Sequence, residues 1–324
     1  MKHARLRLAS AFICFALPAA LTFTACDDTA TEPPVIDGEL ALRYAQENFD
    51  LGPKVFRTEG AAKSAEWIRK QAEEMPGLLE SGGQVRIIGT GAVKNVEIII
   101  PPTIRNTAQK ADGDFVVIGA HHDTKRLFSV PDFAGANDGA SGVGALLAMA
   151  RACVERMQTH PLPCGIRFVF FDGEEALYQY TETDGLVGSN DYVAGLRRDG
   201  VQGHCRAMVL LDMIGDKDLH IDLAGNSTPA LADVVMAEAQ AAGHADKFSR
   251  GDTAILDDHY PFLQAGIPAV DLIDFDFGPD NRYWHTGADT MDKISAESIK
   301  TAADVAIRTV WRLAGTGFTD LQKK

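Results

Sequence analysis

The stretch Phe168-Val169-Phe170-Phe171-Asp172-Gly173-Glu174-Glu175-Ala176 decides how this chain is read. The apolar run from Ile166 to Phe171 has the composition of a buried strand. Asp172-Gly173 ends it, and two adjacent glutamates follow. Neighbouring side chains leaving a strand end point in different directions. One carboxylate can therefore hold a metal while the other faces a substrate as a base. Alone, a Glu-Glu pair is far more often a solvated loop, since carboxylates usually sit at the surface.

Further acid and histidine sites after apolar runs change that balance. Gly119-Ala120-His121-His122-Asp123 follows Phe115 to Ile118. Gly135-Ala136-Asn137-Asp138-Gly139-Ala140-Ser141-Gly142 is a small-residue loop opening a helix. Leu210-Leu211-Asp212 follows Ala207-Met208-Val209, and Trp284-His285-Thr286 with Asp289-Thr290 lies near the C-terminus. In open α/β sheets, sites gather at the carboxyl ends of strands. Histidine, aspartate and glutamate converging there without cysteine suit a catalytic zinc.

The order His-x-Asp, Gly-Ala-x-Asp, Glu-Glu, Leu-Asp, His-Thr resembles the zinc-dependent aminopeptidase family that also contains the animal-type glutaminyl cyclases. The likeness runs from about Leu51 to the C-terminal helix. It implies that Asp138, Glu175 and His285 are ligands of a zinc shared by both branches, with Glu174 as catalytic base. It implies that His121 and Asp212 are the extra ligands aminopeptidases use for a second zinc, that Asp138 bridges, and that Asp123 orients His121. One zinc is expected, and two can be assembled. Peptide or protein N-termini are the implied substrates, in a chain expected to act as a monomer.

The spacing leans toward the cyclase branch. Twelve residues, Ala176 to Val187, separate Glu175 from Gly188-Ser189, where aminopeptidases run almost directly into a Gly-Ser turn. Phe170-Phe171-Asp172-Gly173, Leu211-Asp212-Met213-Ile214-Gly215, Asp257-Asp258-His259-Tyr260-Pro261-Phe262-Leu263 and Trp284 lean the same way. Two positions depart from that branch: Tyr180 stands where animal cyclases have a pocket tryptophan, and Asp271 where they have a histidine in the network around the base. The resemblance makes Tyr180, Trp284, Asp271 and Phe277 pocket residues and places Asp257 beside the base. Asp257 and Asp258 also read as helix N-caps before His259-Tyr260-Pro261. His122 and His259 read as structural histidines, and Tyr178 as packing on the inserted loop. The alternatives are an aminopeptidase and a non-catalytic binding domain of the same fold. The presence of every ligand position and of the base speaks against the latter.

The remaining sequence sets the frame. The chain has 324 residues, of which 46% are hydrophobic, enough for one large α/β domain. Residues 1–25 stand apart. Lys2, Arg5 and Arg7 precede a largely apolar Leu8 to Phe23, and Thr24-Ala25-Cys26 follows. This reads as an export signal with a lipid attached at Cys26, simple secretion with Cys26 free being the alternative, followed by a polar tether over residues 26–39 and a catalytic domain over 40–324. A lipid-anchored protein of a bacterial cell envelope is therefore expected, touching membrane only through that lipid. Losing three basic residues would make the formal net charge more negative than −14, which argues against nucleic acid as a partner. Export permits a disulfide. Cys153 with Cys164 is the favoured pair, with Cys153, Cys164 and Cys205 as buried thiols the alternative.

The patterning predicts helices over Leu40 to Phe49, Ala61 to Glu74, Ser141 to Met157 and Ala296 to Ala314, and another starting at Thr228-Pro229. Strands are predicted over Val85 to Ile88 and Val96 to Ile100. Alternating strands and helices imply a three-layer α/β/α sandwich, and the family resemblance makes its central sheet mixed and mostly parallel.

Overall fold

A computed structural model describes residues 32–103, 113–181 and 183–316, with Phe318 and Leu321. The expected export segment, Cys26 and the first part of the expected tether, to residue 31, lie outside these residues. One mixed eight-stranded sheet forms the centre. Its strands are β1 (Gln84–Ile88), β2 (Asn95–Ile100), β3 (Phe115–His121), β4 (Gly165–Phe171), β5 (Cys205–Asp212), β6 (Ile221–Leu223), β7 (Phe248–Arg250) and β8 (Ala269–Ile273). The order is β1-β2-β4-β3-β5-β8-β6-β7. The central block β4-β3-β5-β8 is parallel, and antiparallel pairing appears toward the edges.

Strand parity sorts the core into two layers. Val116, Ile118 and Ala120 of β3, with Ile166, Phe168 and Phe170 of β4, face one cluster. Helices α1 (Gly38–Phe49), α2 (Glu59–Glu73), α3 (Gly142–Met157), α5 (Pro229–Ala242) and α7 (Ala296–Thr316) complete that layer. Phe115 and Val117, with Val169 and Phe171, face the opposite cluster, where Tyr192 and Leu196 of α4 (Val187–Arg198) and Phe262 of α6 (Tyr260–Gln264) pack. The central strands are therefore apolar on both faces, as parallel strands covered by helices must be. Each fully buried Leu, Ile or Phe there stabilises the fold by about 1.5–3 kcal/mol.

Most predicted elements appear within two residues of their predicted ends. The first helix starts at Gly38, inside the stretch expected as tether, because Asp37 caps it: Leu40 N donates to Asp37 Oδ1 at 3.0 Å. Ile36 is already buried there. The favoured disulfide is not formed. Cys153, Cys164 and Cys205 are free and buried. Burial pushes Cys164 up to about 11, Cys205 to about 12 and Cys153 higher still, so none is a reactive thiolate at neutral pH.

The parallel block positions the site. In the β3–β4 register His121 lies opposite Phe171, so the chain leaving β4 as Asp172 to Glu175 passes beside it. Gly119 lies opposite Leu210, and two residues further on the same register brings Asp212 alongside His121. Four parallel carboxyl ends thus open on one rim of the sheet.

Candidate metal centre

Two trios of ligand-bearing side chains meet on that rim: Asp138, Glu175 and His285, and His121, Asp138 and Asp212. Within each trio the candidate ligand atoms lie within 4.8 Å of one another. His285 Nε2 is 2.8 Å from Glu175 Oε1 and 3.1 Å from Asp138 Oδ2. His121 Nε2 is 3.2 Å from both Asp138 Oδ1 and Asp212 Oδ1. Asp138 is common to both trios, as the resemblance implies.

Asp138 is presented by a tight loop. Gly135 and Gly139 adopt positive φ of 58° and 109°. A Cβ on Gly135 would stand 2.0 Å from the Asp138 carbonyl oxygen, and one on Gly139 3.0 Å from that of Asp123. Asp289 secures the loop from outside: its carboxylate accepts from Asn137 N at 2.7 Å and Asp138 N at 3.2 Å. Lys54, wholly buried, donates to the Ala134 carbonyl at 2.7 Å. Burial lowers Lys54 to about 7 against the pull of Asp289, Asp123 and Asp138. His285 itself has φ of 52°, a conformation that costs energy in a non-glycine residue and clusters at functional sites.

Asp123 does more than the resemblance implies. His121 Nδ1 donates to the Asp123 backbone carbonyl at 3.2 Å, which turns Nε2 toward Asp138 and Asp212. The Asp123 carboxylate instead accepts from Glu174 N at 3.1 Å and Glu175 N at 3.3 Å. One residue thus aligns both the histidine and the glutamate pair.

The two glutamates diverge as the strand end requires. Glu175 turns to His285 and also receives Lys125 Nζ at 2.8 Å. Glu174 instead receives the Tyr180 hydroxyl at 2.6 Å. Burial raises Glu174 well above the usual carboxylate range, and the Glu175 charge adds to this. Asp257 rises well above its range too, by burial and then by Asp271. Burial alone would lower His285 and His121, but hydrogen bonds to Asp138 and Glu175 raise His285 to about 9, and bonds to Asp123, Asp138 and Asp212 raise His121 strongly.

The inserted loop is compact. Asp184 accepts from the backbone N–H groups of Leu177, Tyr178 and Gln179 at 2.6, 3.0 and 3.1 Å. Its ends are tied to the strand exit: Leu186 N donates to Glu174 O and Val187 N to Gly173 O, both at 2.8 Å. The loop therefore curls Tyr180 back over the glutamates, and Lys125 Nζ sits 5.0 Å from its ring centroid. Tyr178 is 75% exposed, joined to Arg126 and not to the pocket. Trp284 stacks on His285 at 4.1 Å, with Phe275 5.0 Å further along.

A cavity of about 800 Å³ opens over this centre, with Glu174, Glu175, Tyr180, Asp257 and Trp284 in its lining. Phe277 and Asp271 are not part of that wall. Phe277 is fully buried and packs edge-on against Tyr283; Phe275 occupies the expected position instead. Asp271 lies inside β8, fully buried, with Oδ2 3.6 Å from His259 Nδ1 behind the cavity. Neither Asp257 nor Asp258 caps α6 with its side chain; the N-cap position is His259, which makes no such bond. His122 is a structural histidine, with Nε2 3.0 Å from the Lys94 carbonyl. Lys125, Lys54 and Asp184 are the residues that the motifs did not single out, and Asp289, quoted with the His285 element, supports the Asp138 loop.

The donor set fits a cation. Asp138 Oδ2 is buried and makes no well-aligned hydrogen bond, and its one close neighbour is His285 Nε2 at 3.1 Å, itself a ligand-type nitrogen. An ionised oxygen in that state is costly unless a positive charge stands next to it. Oxygen and imidazole donors without sulfur suit zinc in an open site.

Residues 103–310 match peptidase family M28, a span that includes every site residue from His121 to His285. The chain belongs to peptidase family M28. A solved glutaminyl cyclase from an Acidobacteriales bacterium is 31% identical, covering 88% of this chain and 97% of that one with a TM-score of 0.75. Aminopeptidase YwaD of Bacillus subtilis is 29% identical over 206 residues, 61% of this chain and 41% of that protein. The glutaminyl-peptide cyclotransferase of Drosophila melanogaster is 26% identical over 203 residues, 56% of each. The match spans about half the length of such curated relatives, from 41% to 63%. The M28 members similar to this chain thus include both hydrolases and cyclases.

Proposed function

We propose that this chain is a zinc-dependent glutaminyl-peptide cyclotransferase, converting an N-terminal glutamine to pyroglutamate with release of ammonia. Asp138, Glu175 and His285 would hold a single zinc, whose chemistry is to polarise the glutamine side-chain carbonyl. The base is Glu174. It takes a proton from the substrate's α-amine as that nitrogen bonds to the side-chain carbon. It then returns the proton to the amide nitrogen, whose bond to carbon breaks as ammonia leaves. A carboxyl group raised by burial is matched to both transfers near neutral pH.

The observation that carries this reading is Tyr180, delivered by the inserted loop to within 2.6 Å of Glu174. Trp284, stacked on His285, lines the same cavity beside it. A reaction in which the substrate's own amine attacks needs no water, so a substrate N-terminus packed under Tyr180 and Trp284 would favour it over hydrolysis. Lys125 holds the far oxygen of Glu175 and leaves the other for the metal.

A second reading, a two-zinc aminopeptidase, is favoured by the trio of His121, Asp138 and Asp212. In the cyclase reading His121 and Asp212 hold each other at 3.2 Å as supports. The test is to incubate the zinc-loaded protein with a glutaminyl peptide. Ammonia release with an N-terminally blocked product supports the cyclase; free glutamine and a shortened peptide overturn it.

We further propose that the protein is exported, anchored in a bacterial cell envelope through a lipid on Cys26 and monomeric there. The sequence of residues 1–26 supports this, and loss of labelled palmitate incorporation in Cys26→Ser would test the anchor.

A further inference from the structure

The cavity exceeds what the metal centre needs. Its volume of about 800 Å³ is in the range that encloses a drug-sized ligand, while Glu174 and the metal-ligand residues occupy one end. The other end is a wall made by residues 251–257 and by Phe275 and Asp276, with Asp222 of β6 beside them. This wall is preformed. Gly251 N donates to Leu223 O at 2.9 Å and Gly225 N to Thr253 O at 2.7 Å. The Asn226 side chain clamps Ile255 by donating to its carbonyl at 2.9 Å and accepting from its N–H at 3.1 Å.

The wall has two characters. Leu256 is 51% exposed and Phe275 43%, and together with Ile255 they give an apolar shelf in a recess, where such surface marks a binding site. Its charge is of one sign: Asp222, Asp252 and Asp276 contribute, and no lysine or arginine does. Asp222 is engaged by the Ser249 hydroxyl and lies 3.6 Å from His220 Nε2. Asp252 and Asp276 have no salt-bridge partner among the described residues. Where the wall meets the centre, Asp257 is only 3% exposed, and its Oδ2 faces no hydrogen-bond partner.

We propose that this wing is the subsite for the residues following the substrate's N-terminal residue, and that it selects peptides with lysine or arginine at the second or third position. The aliphatic stem of such a side chain covers Ile255, Leu256 and Phe275 while its cationic head reaches Asp252 and Asp276, the division of labour that long basic side chains adopt on amphipathic surfaces. The inference rests on the centre processing peptide N-termini, by either reaction.

The test compares peptides that differ only in Lys, Ala or Glu at positions two and three, in a glutaminyl and a leucyl series. In the series that turns over, kcat/KM should fall from Lys to Glu by about tenfold, from two partly exposed ion pairs. The ratio should shrink as salt is raised. The double substitution Asp252→Asn, Asp276→Asn should bring the ratio close to one while leaving the Ala peptide unaffected. Dissociation constants of the same peptides on Glu174→Gln, measured by calorimetry, should follow the same order. A Lys-to-Glu ratio near one in both turnover and binding would overturn the subsite. A ratio that survives the double substitution would do so too. An inert glutaminyl series beside an active leucyl series with the expected ratio would instead sink the cyclase reading and leave the subsite standing.

Discussion

Replacing Tyr180 with phenylalanine removes one oxygen and keeps the ring over Lys125. The lost group is the hydroxyl that donates to Glu174 Oε1 at 2.6 Å and stands 3.5 Å from Glu175 Oε2. Tyr180 itself is held protonated: burial raises its pKa far above the ordinary phenol value, and the charges of Glu174 and Glu175 raise it further. It is therefore a permanent donor to Glu174, the proposed base. A hydrogen bond to a charged group is worth about 1.5–3 kcal/mol. That bond favours the ionised carboxylate, so its loss should raise the Glu174 pKa by about one to two units at 1.36 kcal/mol per unit. The base must be ionised to act, so the acid limb of the kcat/KM profile should move to higher pH by that amount. On the slope of the limb activity should fall about 10–100-fold, and the deficit should narrow as pH rises. Zinc content should be unchanged, because Glu175 Oε2 keeps its Lys125 partner at 2.8 Å and Oε1 is not touched. The assay is a pH series of kcat/KM on a glutaminyl peptide, with metal analysis of the same samples. An unmoved acid limb would refute the placement of Tyr180 on the base.

Three further outcomes follow from the same geometry. Glu174→Gln should lose about 10²–10⁴ in turnover with zinc retained, whereas Glu175→Gln should lose zinc; metal analysis of the two variants separates neighbouring residues. His285→Ala should abolish activity and lower bound zinc, and full occupancy would remove His285 from the ligand set. The third concerns pH. In the metal-free chain His285 is raised from 6.5 to about 9. Its stabilising contribution, about 3 kcal/mol at 1.36 per unit, is fully present below pH 6.5 and lost as pH rises through 9. Zinc must displace that proton, so zinc affinity should rise over the same window. The gap in Tm between zinc-loaded and metal-free protein should widen from pH 6.5 to 9, and a constant gap in calorimetric scans would show that His285 carries no proton to displace.

The metal centre was legible in sequence because each of its residues sits at a point where a local pattern changes. His121, Glu174, Glu175 and Asp212 each follow a β run, and Asp138 lies in a small-residue loop before a helix. Such signals need only a few neighbouring residues. The supports were not legible, because their partners are remote in sequence. Lys125 finds Glu175 across 50 positions and Lys54 reaches the Ala134 carbonyl across 80, while Asp289, visible in its motif, binds the 137–138 backbone across about 150, a partner the motif did not name. No periodicity encodes those meetings. Phe277 was misplaced for a different reason. Strand parity would put residues 275 and 277 on one face, but β8 ends at Ile273 and Gly278 turns with φ of 71°. Phe275 therefore meets the cavity while Phe277 turns into the interior. Asp271 was misplaced in depth: it is a strand residue beneath the rim, not a member of it. The disulfide expectation rested on sequence spacing, which carries no information about how the two thiols face each other.

In the proposed reaction one zinc and a Tyr180-bonded base cyclise glutamine faster than they hydrolyse a peptide bond. The most direct measurement counts zinc per chain by elemental analysis while a glutaminyl and a leucyl peptide compete in one reaction, with ammonia and free leucine followed separately. One zinc per chain, with ammonia released faster than leucine, is the predicted result; two zincs per chain with faster leucine release would contradict it.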